Sequence, residues 1–515
     1  MRKATSAPTS AAAPPRAQIS QETFDDVVRE NMEEFDMELE EATRDAVQQF
    51  ESQRVDLSNI IKQVGGGASA DERPAAVLEQ LKRSIAALRA LSGSGRSEDG
   101  DTDADAVLAQ LAQLQEVCDR FPEAKVVAGR NDAIDTLLDV VDASARANNS
   151  AALERASALL AFLCADSPDN QDFVGPVGMA RLAGALSADS PAVVRVLQAV
   201  RAACAKHEAN KAHFAKAQGL PAVCALLPSA QQSDALSQHV ARVLRVLTVN
   251  DDPRAAFSQA HETIKALVAK DALVYVLDTV QRAAAAGAPE LLAAWLAVLR
   301  QLAVTEEHCT QIFELQGLAL LQQVMAKHEG DRAVTTRCVT VLRNVAAADA
   351  LKAQLLASGA VERVLAAMQQ HAGDAALQQH ACATLAAIAL RAPDHSVRVV
   401  ALGGARQIAR AMRTHSGDAA LLRQASLALR NLGARSVALR PRILDEGVEP
   451  LLRAAVQRRG CGDEAYAALR DLGCAIQLAA FGPGTGSRAQ FNPVHVESSK
   501  LLARVEDAAE APFAS

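Results

Sequence analysis

The chain is poor in aromatic residues. Only 3% of its 515 positions are Phe, Tyr or Trp, and tryptophan occurs once. Long apolar runs are missing as well, since no stretch approaches the ~18 residues that cross a bilayer. Net basic charge is absent: the formal balance is −8, which gives no reason to expect nucleic acid as the partner. Nine cysteines are present, at Cys118, Cys164, Cys204, Cys224, Cys309, Cys338, Cys382, Cys461 and Cys474, and none forms a CxxC pair. An odd number of isolated cysteines inside apolar helical pattern fits buried reduced thiols of an intracellular protein. Nor is there a GxGxxG after a strand, a P-loop, an HExxH or a nucleophile elbow, so no enzyme, cofactor or metal is expected. GPGTGSR at 482–488 lacks the lysine and the strand–loop–helix setting of a phosphate cradle, and fits a tail.

What the sequence does have is aliphatic material at helical spacing. Half of the residues are hydrophobic, and valines fall in three-to-four spacing rather than alternation, so an all-α fold is predicted. Aligned on candidate helix breaks, segments begin at Asp132, Gly178, Gly219, Asp271, Gly317, Gly359, Gly403 and Gly447. Their intervals run from 41 to 52 with a mean of 45, inside the ~40–47 residue range of helical repeats. The long interval, from 219 to 271, implies an insertion near 250–271.

Each unit divides into three helices. In one of them ALKAQLLAS (350–358) stops at Gly359, which can take the left-handed conformation; AVERVLAAMQQ follows, then a polar turn, then a longer helix over 374–390. The turns HEGD (328–331), HAGD (371–374) and HSGD (415–418) recur at spacings of 43 and 44. His328, His371 and His415 suit helix C-termini, Gly330, Gly373 and Gly417 a stop, and Asp331, Asp374 and Asp418 the next N-cap. A whole repeat, roughly 10 Å, separates consecutive His/Asp pairs, too far for them to share a metal.

VLRNVAA (341–347) returns as ALRNLGA (428–434), two periods later. Val334, Cys338, Val341 and Val345 make one apolar stripe. Asn344 then lies about 80–100° to one side and Arg343 opposite, with Thr336, Arg337 and Thr340 in the same outward sector. In the later copy the outward positions are Gln424, Arg430 and Asn431.

Three helices per unit, glycine before the second and L-R-N-L closing the third resemble the armadillo repeat over ~106–480. The resemblance implies a right-handed superhelical solenoid of about eight or nine repeats whose third helices line a concave groove, with asparagines there holding the main chain of an extended peptide. ISQETFDDVVREN, AVQQFESQ and VDLSNIIK within 17–62 resemble the head of the armadillo repeat-containing protein 6 family. Asparagine matches the family position only at Asn344 and Asn431; the equivalents are Ala202, Gln301, Ala387 and Asp471. The preceding arginine is kept at Arg201, Arg245, Arg300, Arg343, Arg430 and Arg470. A row of guanidinium groups suits carboxylate or phosphate, so a protein partner with acidic or phosphorylated segments is expected. The same arginines could equally be solvated, or paired with acids on neighbouring repeats. Importin-type adaptors need W-x-x-x-N, which occurs nowhere.

Around the repeats, residues 1–17 read as a disordered tail and 18–62 as an acidic amphipathic helical segment with thirteen acids against four bases over 20–62. Phe24, Val28, Phe35 and Leu39 supply its apolar side. It would cap the first repeat, bind a partner, or fold over the arginine row. Residues 63–105 read as a flexible linker with one helix at 75–91, and 481–515 as an irregular tail. The function expected is a non-enzymatic scaffold or adaptor in cytoplasm or nucleus, with a transport receptor moving cargo between them as the alternative.

Overall fold

A computed structural model of the chain describes residues 18–35, 37–62, 74–93, 100–121 and 123–475. The expected tails at 1–17 and 481–515, and the linker stretches 63–73 and 94–99, lie outside them. Among the described residues all regular structure is helical, apart from one isolated bridge between Gln18 and Asp56. Two compact units divide the chain after Lys270.

The first unit begins with α1 (Gln21–Phe35), α2 (Leu39–Ser52), α3 (Pro74–Gly93) and α4 (Gly100–Arg120). Then come α5 (Ala124–Arg130), α6 (Ala133–Arg146), α7 (Ser150–Cys164), α8 (Pro168–Gly184) and α9 (Val193–Cys204). It closes with α10 (Glu208–Lys216), α11 (Gly219–Ala225), α12 (Leu227–Ala230), α13 (Asp234–Leu247) and α14 (Ala260–Val268). Helix α4 starts six residues inside the stretch expected as linker. Its packed face, Leu111, Leu114, Val117 and Cys118, carries the helical pattern back through the acidic run.

The acidic head is a helical hairpin rather than one helix. Phe24 and Val28 of α1 pack on Ala42, Ala46 and Phe50 of α2, and Val55, Leu57 and Ile60 close the cluster. Leu39, expected on the apolar side, is 52% exposed, because the break before α2 resets the helical phase. The hairpin docks on the first repeat: Arg130 of α5 holds Asp56 at 3.1 Å and the Lys62 amide donates to Glu123 at 2.9 Å.

The second unit runs α15 (Ala272–Ala286), α16 (Pro289–Leu302), α17 (Glu306–Glu314), α18 (Gly317–Lys327) and α19 (Arg332–Ala347). It continues with α20 (Lys352–Ala357), α21 (Ala360–Gln370), α22 (Ala375–Ala389), α23 (Pro393–Ala401) and α24 (Gly404–Thr414). Last come α25 (Ala419–Ala434), α26 (Arg440–Leu444), α27 (Val448–Val456) and α28 (Gly462–Asp471). Third helices stack on one another, α16 on α19, α19 on α22, α22 on α25 and α25 on α28; in the first unit α7 meets α9 and α9 meets α13.

The break between first and second helices is a left-handed residue. Gly359 takes it at φ 82°, while Asp132, Gln218, Asp271 and Gln316 adopt it at φ 58–63° without being glycine. The sequence alignment put two of these breaks one residue late, on Gly219 and Gly317. Those glycines open the second helix and are needed for room: a Cβ on Gly317 would sit 2.6 Å from Ile312 Cγ2 and 2.7 Å from its carbonyl oxygen. The break expected at Gly178 falls instead at Gly175, just ahead of Pro176.

Polar turns behave partly as expected. Asp331, Asp374 and Asp418 are N-caps whose carboxylates accept from the amides of Val334, Leu377 and Leu421, each at 3.0 Å. His328, His371 and His415 end the second helices. The glycines between them are not the stop, since Gly330, Gly373 and Gly417 are not among the residues with positive φ. The turn is closed by each aspartate's amide donating to the histidine carbonyl at 2.9–3.0 Å. His371 and His415 also donate from Nε2 to Glu329 O (2.7 Å) and Ala372 O (2.8 Å) of the preceding turn.

Candidate functional site

The predicted site residues sit on the third helices. In α19 the stripe Val334, Cys338, Val341 and Val345 is fully buried, and so are Val339 and Leu342, because the helix is flanked on two sides by other third helices. Thr340 departs from expectation: it is 6% exposed and its hydroxyl donates to Arg337 O at 2.7 Å. The face left open is therefore narrower than one helix suggests.

Asn344 and Asn431 are half-buried and bridge repeats. Asn344 Nδ2 donates to Arg300 O at 3.0 Å, and Asn431 Nδ2 to Ala386 O at 2.9 Å. Each amide keeps a second N–H and its carbonyl oxygen for other use. Half-buried Gln301 and Gln424 flank them on the same face.

Arginines of this face meet two kinds of neighbour. At the end of the second unit Asp471 accepts from Arg430 Nε at 2.8 Å and from Arg470 Nε at 2.9 Å, and Arg423 holds Glu464 at 2.7 Å. Burial raises the Asp471 carboxyl, but the hydrogen bonds from Arg470 and Arg430 win and hold it below the usual range. Farther up the stack, Arg343 Nη1 lies 3.4 Å from His380 Nδ1. A guanidinium only donates, so this imidazole accepts on Nδ1 and is neutral. Burial first, then Arg343, Arg300 and Arg337, push its pKa down, with Asp374 opposing. In the first unit the ring of His239 has Gln198 Nε2, not a guanidinium, at 3.4 Å from its Nε2. His239 of α13 is depressed by burial and by Arg242, Arg201 and Arg195. Arg201, Arg242 and Arg245 are exposed and carry no ion pair among the described residues.

A second set of polar residues was not anticipated. Asn170 Nδ2 donates to Leu163 O (2.8 Å) and Lys125 O (3.0 Å), and Asn210 Nδ2 to Ala203 O (3.0 Å) and Gln171 O (2.7 Å). Next to them, Gln171 donates to Ala202 O and Ala205 O, and Lys211 to Val249 O at 2.7 Å. Lys352 reaches Leu390 O at 3.0 Å, and Lys125 reaches Ala165 O. Gln171, Lys211, Lys352 and Lys125 thus send donors from first helices to the carbonyl end of the following third helix, where the helix dipole favours a cation, while Asn170 and Asn210 donate to the end of the preceding one. The doublets Asn170-Gln171 and Asn210-Lys211, forty residues apart, were the available signal.

Among the described residues no three His, Cys, Asp or Glu side chains gather where a metal ion could be held. Instead, His207 caps α10, with Nδ1 accepting from Asn210 N and Nε2 at 2.6 Å from Asp172. Burial pushes the thiols of Cys164, Cys204 and Cys382 up to about 12, far from nucleophilic range. No helix among the described residues is long and apolar enough to cross a membrane.

Comparison with known proteins agrees with this architecture. Residues 77–490 match the ARMC6 family, and residues 16–77 match the armadillo repeat-containing protein 6 N-terminal domain. The chain is 31% identical to human armadillo repeat-containing protein 6, covering 73% of this chain and 75% of that one. To the Drosophila melanogaster homolog it is 28% identical, over 73% and 78%. A solved engineered protein is similar in fold at a TM-score of 0.55, with 18% identity over 77% of this chain and 98% of that one. So is a solved chain from work on a phosphorylation switch controlling the interaction between cadherin and beta-catenin, at 0.56, with 16% identity over 74% and 68%.

Proposed function

The chain belongs to the armadillo repeat-containing protein 6 family, and from that premise we propose that it is a protein-interaction scaffold that captures a partner segment along its third helices. The observation that carries the proposal is the shared register of that face. Arg300, Arg343 and Arg430 hold one sequence register on α16, α19 and α25, and Asn344 and Asn431 the next, and these third helices follow one another through α22 in the stack. The amides would fix the partner's main chain with their remaining donor and acceptor, while the arginines select acidic or phosphorylated segments. The role is binding, with no catalytic step. The armadillo-type chain from the cadherin and beta-catenin work gives a fold-level analogy for such binding.

The test is affinity capture with the wild type against Asn344→Ala plus Asn431→Ala, with thermal melting as a fold check. The double variant should lose the partners that the wild type retains. An unchanged set on a folded variant rejects the third-helix face as the binding site.

A further inference from the structure

We propose that each unit carries one proton-coupled station for a phosphoryl group of the partner segment, built in the second unit from Arg343 and His380 and in the first from Arg201, Arg242 and His239. The proposal rests on the binding role assigned above and deepens it. Its basis is a recurrence of register. His380 stands six residues before Ala386, and Ala386 holds the position that Arg343 holds on the preceding helix; His239 stands six before Arg245. Half-buried His380 leans back toward Arg343 of the preceding third helix, and the same register sets half-buried His239 on α13 opposite Arg201 on α9. Arg343 Nη1 is 3.4 Å from His380 Nδ1, and Arg201 and Arg195 of α9 act on His239 together with Arg242 of its own helix.

The charges around each imidazole are unequal. Around His380 stand Arg343, Arg337 and Arg300 against Asp374, which also meets Arg332 at 3.6 Å. Around His239 stand Arg242, Arg201 and Arg195, and of these Arg195 reaches Glu154 at 3.4 Å. The resting contacts fit neutral rings. His380 accepts from Arg343, and Gln198 Nε2 lies 3.4 Å from His239 Nε2 while Gln198 Oε1 accepts from Arg195. A dianionic oxyanion arriving between the guanidinium and the ring reverses this. The ring takes one proton from solvent, its hydrogen bond to the guanidinium is replaced by repulsion, and both groups then donate to the anion. Protonation and anion binding favour one another, and linkage makes the coupling reciprocal. Phosphoryl groups suit the station better than single carboxylates because they carry close to two charges and three acceptor oxygens.

The experiment uses the full chain with isotope-labelled histidine, and reads the His239 and His380 imidazole resonances by NMR as sulfate is added. Sulfate stays dianionic across the pH range, and chloride at matched ionic strength is the control. Sulfate should move both resonances and bind roughly tenfold tighter at pH 5.5 than at pH 7.5, the change that one proton of linkage gives per unit of pKa displacement. Arg343→Ala should abolish the His380 response alone, and Arg201→Ala plus Arg242→Ala the His239 response alone. His239→Gln plus His380→Gln should keep weak binding without its pH dependence. Resonances that sulfate moves no more than chloride does overturn the proposal, as does pH dependence that survives the double glutamine variant. Inorganic phosphate at pH 7.5 should outcompete acetate at the same stations, and equal competition removes the phosphoryl assignment. Sulfate responses that persist while capture ignores Asn344 and Asn431 would sink the peptide-binding role and leave the anion stations standing.

Discussion

Two rows of cations run through the repeats, and they differ in what surrounds them. Lys211 and Lys352 of the first helices are inside. Lys211 is 3% exposed, donates to Val249 O, and also meets Asp251 at 2.5 Å and Glu208 at 3.5 Å; Lys352 is 4% exposed and pairs with Asp349 at 2.6 Å. Arginines of the third helices are outside, and in the first unit Arg201 and Arg245 find no acid among the described residues. Both rows follow the repeat period, so periodicity alone cannot tell them apart. Burial separates them: a cation sealed against a helix end holds the stack together, and a cation on the open face stays in contact with solvent.

The largest effects should come from the inner row. Removing one member of a buried charged cluster leaves its partners uncompensated, at about 3–5 kcal/mol. Lys211→Met should lower the unfolding free energy in urea by an amount on that scale, and Lys352→Met, whose partner Asp349 is exposed, by about 1–3 kcal/mol for the Leu390 carbonyl it leaves unpaired, while Arg343→Ala changes stability by less than ~0.5 kcal/mol. Equal losses for Lys352→Met and Arg343→Ala would erase the distinction between the rows. Glycines sharpen it next. Gly317→Ala forces a methyl against Ile312 and its backbone oxygen, and should cost about 1–3 kcal/mol by overpacking. Gly330→Ala, in an open turn where a Cβ meets nothing within 4 Å, should stay within ~0.5 kcal/mol. Asn344→Ala falls between the rows. It removes one inter-repeat hydrogen bond and should cost about 1 kcal/mol in the same assay.

Much of this was legible in the sequence, and the rest failed for identifiable reasons. The aspartate caps were readable because capping is local, fixed by an Asp directly ahead of an apolar period. Helix breaks were readable only to within one to three residues, Gly175 standing three before the expected Gly178. A left-handed residue and a crowded first position sit side by side, and glycine serves either, so Gly317 looked like the break that Gln316 makes. Gly330 misled for the converse reason, since a turn closed by its own hydrogen bond can hold glycine without needing positive φ. Thr340 was misplaced because an angle on one helix cannot see the neighbouring helix that covers it. The arginines were legible as a repeating set, but which guanidinium meets Asp471 and which meets His380 depends on the next repeat's register, a tertiary fact. Asn170 and Lys211 went unseen because buried polar residues look like surface ones until the facing carbonyls are known.

A smaller stability effect than those of the inner row tests the comparison within the outer row itself. Asp471 is the acid that ties up Arg430 and Arg470 at the end of the second unit. Asp471→Asn keeps the shape and removes the charge, so it should cost less than ~1 kcal/mol, as ion pairs near the surface do. The sign with pH is fixed by the lowered carboxyl pKa: the charged form supplies its stability above the ordinary aspartate range and loses it as pH falls through the lowered value. Wild type and Asp471→Asn should therefore differ at neutral pH and converge in acid. Binding should move the other way. With its acid gone, the Arg430–Arg470 pair becomes what Arg201 and Arg242 already are in the first unit, and sulfate should gain a site there, read from the side-chain resonances of those two arginines. If Asp471→Asn gains no anion binding while Arg343 and Arg201 retain theirs, the absence of a neighbouring acid is not what makes an outer arginine available, and the imidazole beside it becomes the deciding group.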